Sequence, residues 1–69
     1  MNLVKIYDID TNRELRKYKD GNIPQVGEFC IIDSEKYETI KIEWDYNNVI
    51  IEDSYTNVTA IVWLRRLEQ

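Results

Sequence analysis

The sequence predicts a mostly β fold: one small domain over residues 1–69, an antiparallel meander that closes into an SH3-like barrel or a curved sheet. Three observations predict it. Between Tyr37 and Asp53, Ile40, Ile42, Trp44 and Tyr46 alternate with Lys41, Glu43 and Asp45, the two-residue period of a strand with one face in the core. Gly21, Pro24 and Gly27 are the only glycines and proline and sit together, so the chain has one main break and no linker or repeat. Its 69 residues, 43% of them hydrophobic, suit one core. Closing the sheet removes its exposed edges, which favours a barrel. The alternative is an α+β fold in which a short helix near residues 12–19 covers an open sheet.

Residues 3–7 form a β-rich run, and patterning of the same kind resumes over 13–18. The intervening Asp8-Ile9-Asp10-Thr11-Asn12 suits a hairpin turn, with Asn12 as the residue at positive φ. Arg, Glu, Leu and Lys also favour helix, and this is the source of the competing reading of 12–19. A loop over 19–27 follows, because Pro24 cannot donate to a sheet ladder. Gly27 then opens a strand over 28–33, and Ser34-Glu35-Lys36 is read as a turn. Asn47-Asn48 supplies two residues able to take positive φ, as a type I′ hairpin requires. That turn would pair Tyr46 with Val49 and Trp44 with Ile51, leaving Ile50 as the misfit on the polar face. Residues 53–57 read as a second turn and 59–67 as the last strand. In that strand Ala60, Val62 and Leu64 alternate with Ile61 and Trp63, so both faces are apolar. Such a strand is buried on both sides or lies at an interface.

Composition excludes several chemistries. The net charge of −4 and the pI near 4.6 disfavour general affinity for nucleic acid, which rests on phosphate neutralisation. Cys30 is the only cysteine, so no disulfide forms within the chain; among Phe29, Ile31 and Ile32 it reads as a buried, inert thiol. There is no histidine, no Gly-rich phosphate loop and no nucleophile–base pairing. No catalytic residue, metal ligand or cofactor is therefore expected. Asp8-Ile9-Asp10-Thr11-Asn12 matches the start of a calcium loop, but Arg13 stands where the loop needs glycine and Lys19 where it needs glutamate. Asn57-Val58-Thr59 fits a glycosylation pattern too short to weigh. The first residues lack the pattern of a signal peptide, and Ala60 to Leu64 is too short an apolar run to span a membrane. These features predict a cytoplasmic protein with no membrane partner.

Eight aromatic residues in 69 are the more informative set. Interface hot spots favour Trp, Tyr and Arg, so Trp63, Arg65, Arg66 and Tyr55 are the candidate binding residues. Trp44 is read as core. Trp63 is divided between core and interface because its strand is apolar on both sides.

Pro24-Gln25-Val26-Gly27-Glu28-Phe29, then Tyr37-Glu38-Thr39-Ile40, then Trp44-Asp45-Tyr46-Asn47-Asn48 resemble segments of small β-proteins of bacteriophages and mobile elements. That group has no common activity, so no residue role is carried over. The resemblance implies a context in which small proteins bind a host protein or a host signalling molecule. The expectation is a non-catalytic binding protein acting on a host protein surface in the host cytoplasm, with a homodimer as one possible state. An oligomer that sequesters a small anionic ligand or signalling nucleotide is the alternative, and an acidic decoy for a nucleic-acid-binding protein is a further one.

Overall fold

The computed structural model describes residues 2–46 and 58–68. Within them are five strands and no helix: β1 (Asn2–Asp8), β2 (Arg13–Lys19), β3 (Phe29–Ile32), β4 (Glu35–Asp45) and β5 (Val58–Arg66). They form one sheet in the order β2-β1-β5-β4-β3, curled into a half-barrel. The mostly β class and the curved sheet thus hold. The helix near 12–19 does not: those residues are β2 and the turn before it. Local propensity is overridden there by pairing with β1, which sets Tyr18 against Val4 and Arg16 against Ile6.

The purely antiparallel meander is also corrected. β1 and β5 run parallel, from Asn2 opposite Val58 to Asp8 opposite Leu64. The last strand therefore enters the middle of the sheet and joins two hairpins, β1–β2 and β3–β4. Its central place explains its apolar character. Ala60, Val62 and Leu64 are fully buried on the concave face, while Ile61 and Trp63 are half-covered on the convex one.

Val4 and Ile6 of β1, Val62 and Leu64 of β5, Tyr37 of β4 and Ile32 of β3 make the core. Burying such a side chain fully contributes about 1.5–3 kcal/mol, and Leu15, Tyr18, Ile23, Cys30 and Ile42 pack against this cluster partly buried. Thr39, opposite Leu64, is buried beside them, and Thr59 is buried on the convex face of β5.

Turn chemistry sets the registers. Asp8 Oδ1 accepts from the Asp10 amide at 2.9 Å and the Thr11 amide at 3.3 Å, and Asn12 takes φ 62° as its sequence predicts. The Asp8 carboxylate is thereby turned onto its own backbone. Asp33 and Ser34, at φ 51° and 67°, form the two-residue turn between Ile32 and Glu35. The turn thus lies one residue earlier than Ser34-Glu35-Lys36, and Glu35 already belongs to β4. Gly27 takes φ 93° at the third position of a turn in which the Glu28 amide donates to the Gln25 carbonyl at 2.9 Å. Only glycine enters that conformation readily. The Gly27 amide and the Glu28 carbonyl both bond Thr39, extending the β3–β4 ladder past Phe29.

A bulge between Thr39 and Lys41 shifts the β4 register. Thr39 opposes Leu64 and Ile42 opposes Val62, so both face the core and Ile40 is the extra residue. Alternation over 41–45 holds as the sequence predicts, with Lys41, Glu43 and Asp45 on the convex face. Trp44 has core-side register opposite Ala60 but stays 47% exposed, because it lies near the strand end, beyond the main cluster. The Asn47-Asn48 turn, the partners Val49 and Ile51, Ile50 and the turn over 53–57 lie outside the described residues.

Candidate functional site

The two edges of the sheet differ in kind. β2 reads Arg-Glu-Leu-Arg-Lys-Tyr-Lys, four cations and one anion in seven residues. Charge on an edge strand, lysine above all, is the usual protection against unwanted pairing. β3 reads Phe-Cys-Ile-Ile and carries no charge at all. Its register with β4 places Cys30 opposite buried Tyr37, so Cys30 and Ile32 face inward. Phe29 and Ile31 face outward, 60% and 76% exposed. Lys36 Nζ sits 4.8 Å from the centre of the Phe29 ring, which covers part of one apolar side chain and leaves Ile31 bare.

Between these edges lies an open seam, since β2 and β3 are the two ends of the strand order. It forms a cleft of about 530 Å³ whose floor includes Ile6, Tyr18, Ile23, Cys30 and Ile32. The connection between the two strands closes one end. There the Tyr18 hydroxyl donates to the Asn22 carbonyl at 2.5 Å. The Tyr18 ring lies so near Gly21 that a Cβ at that position would run into it. Burial first, and then repulsion from negative charge on the neighbouring Cys30 sulfur, push the Tyr18 hydroxyl pKa above 10.0, the value of a free tyrosine. At the other end Arg16 Nη2 meets Asp33 Oδ1 at 2.6 Å. Both side chains are exposed, and such pairs contribute only about 0–1 kcal/mol. A weak electrostatic latch thus spans the seam.

Cys30 is half-buried in this cleft rather than sealed in the core, with Sγ 3.9 Å from Thr39 Oγ1. The convex flank of β2 is basic. Lys17 stands directly opposite Lys5, and Lys19 opposite Leu3. None of these three lysines enters an ion pair among the described residues. Like charges opposed across a ladder are destabilising, so this cluster opposes folding locally.

The residues singled out from the sequence do not converge. Trp63 lies on the convex face, its indole N–H donating to Glu43 Oε1 at 2.5 Å. Its ring centre is 5.2 Å from that of Tyr7, and Lys41 Nζ is 5.6 Å from it. Arg65 and Arg66 point to opposite faces, as adjacent strand residues must. Arg65 Nε is 3.7 Å from Asp10 Oδ2, and Arg66 bonds Glu35 Oε2 at 3.0 Å. Each guanidinium already faces a carboxylate that an incoming anion would have to displace. Tyr55 lies outside the described residues. The seam residues Arg16, Tyr18, Ile23 and Ile31 were not singled out by sequence reasoning. The contrast between a charged strand and an uncharged one was the available signal, but it becomes meaningful only once both are known to be edges.

Among the described residues no group of acidic, cysteine or histidine side chains has metal-site geometry, and no helix is long and apolar enough to cross a membrane. No family model, curated protein or solved structure matches the chain.

Proposed function

We propose that this chain is a non-catalytic binding module that occupies the surface of another protein, in the manner of small phage and mobile-element proteins acting on a host in its cytoplasm. One observation carries the reading: β2 is a charged edge, whereas β3 presents exposed Phe29 and Ile31 on an uncharged strand beside an open cleft. Bare edges of that kind cost solubility and are normally blunted. Retaining one is intelligible if something pairs with it, because edge strands recognise extended segments through their main chain. The convex-face residues Trp63 and Arg65 then serve the sheet itself, as a cross-strand stack and an ion pair.

Ile31→Lys tests the proposal, because it charges the edge and leaves the core side untouched. The expected outcome is a variant with the wild-type circular dichroism spectrum that fails to retain a protein held by the wild-type chain. The comparison would be made by parallel affinity capture and repeated with the purified partner by titration calorimetry. If both chains retain the same protein with equal affinity, β3 is not the binding edge and the reading falls.

A further inference from the structure

The geometry points to a specific class of partner for this seam: an extended protein segment that alternates apolar and acidic side chains and adds to β3 as an antiparallel strand. The inference rests on the binding role proposed above and names the chemistry that would satisfy it. Its direction follows from the strand order. β2 is antiparallel to β1, β1 parallel to β5, and β3 and β4 successively antiparallel, so β3 runs opposite to β2. A segment antiparallel to β3 is therefore parallel to β2, and its better ladder is the one with β3.

Its side chains alternate inward and outward. Those pointing inward meet Ile6, Tyr18, Ile23, Cys30 and Ile32, an apolar floor. Those pointing outward stand beside the convex flank of β2, where Lys17 and Lys19 are exposed and enter no ion pair among the described residues. Carboxylates at those positions would offset the Lys5–Lys17 opposition that the fold leaves uncompensated. The chain has net charge −4, so a cationic flank is a local feature and not a reflection of the whole. Within about 8–10 Å, the screening length at ordinary salt, the local charge governs. Entry of the segment displaces Arg16 from Asp33, the exposed pair that spans the seam.

The test uses two pools of capped octapeptides, both with Val, Ile or Phe at odd positions. One pool has Asp or Glu at even positions, the other Lys or Arg. Binding to the full chain is read by titration and located by amide hydrogen exchange. The acidic pool is expected to bind at least tenfold more tightly at low salt and to protect amides within β3. Lys17→Glu should cut that preference several-fold, and Asp33→Asn should tighten binding by releasing the latch. Equal binding of the two pools, binding of neither, or protection confined to the convex face of β1 and β5 would overturn the inference. Should that happen while Ile31→Lys still abolishes retention of a protein, the binding edge stands and only the partner chemistry is wrong.

Discussion

Tyr18 holds the closed end of the seam with its ring against Gly21 and its hydroxyl on the Asn22 carbonyl. Its raised pKa ties this position to alkaline stability. Below pH 10 the hydroxyl is protonated in both folded and unfolded chains and has no effect. As pH rises through 10 the unfolded chain releases its proton first, so unfolding becomes more favourable until the folded-state pKa is passed. Urea midpoints followed from pH 8 to 11 should fall more steeply for the wild type than for Tyr18→Phe. Parallel slopes would show that the hydroxyl is not held in its neutral form by the fold. Single residues also mark where sequence reasoning stops. Asn12 was legible because its turn is local chemistry. Cys30 and Trp44 were read as buried because apolar side chains in a strand usually are, and their exposure depends on how far the sheet curls around them.

Strands were more legible than their neighbours. Alternation placed β4 and β5 to within a residue or two, whereas β2 needed its partner to decide it against helix. The bulge at Ile40 was hidden because Ile40 and Ile42 continue the same alternation; only opposition to Val62 and Leu64 exposes the skipped residue. The β1–β2 ladder yields a prediction of its own. Lys17→Glu replaces a like-charged opposition with an attractive pair and should stabilise the fold by about 0.2–1 kcal/mol, measurable by chemical denaturation at low salt. The same substitution removes a cation from the flank of the seam, so greater stability and weaker binding of acidic segments should arrive together. A variant that lost both would place Lys17 in a structural role.

Across the whole molecule, order in space departs from order in sequence at one point, and the candidate site follows from it. A meander would put β1 at one edge and β5 at the other; instead β5 pairs with β1 and β4, and β2 and β3 become the rims. No local signal encodes that choice, which is why the seam was invisible while its strands were not. The two-sided apolar character of β5 was the nearest clue, and it fits a central strand as well as an interface.

A keystone that arrives last has a practical corollary. Among the described residues the hairpins β1–β2 and β3–β4 share no ladder except through residues 58–66, and a two-stranded hairpin alone is marginal in water. A synthetic peptide of 58–68 mixed with a fragment of 1–46 should therefore reconstitute the sheet, detected as a gain of β circular dichroism that neither piece shows alone. Fragments that never associate would mean that the covalent tether contributes more than β5 does.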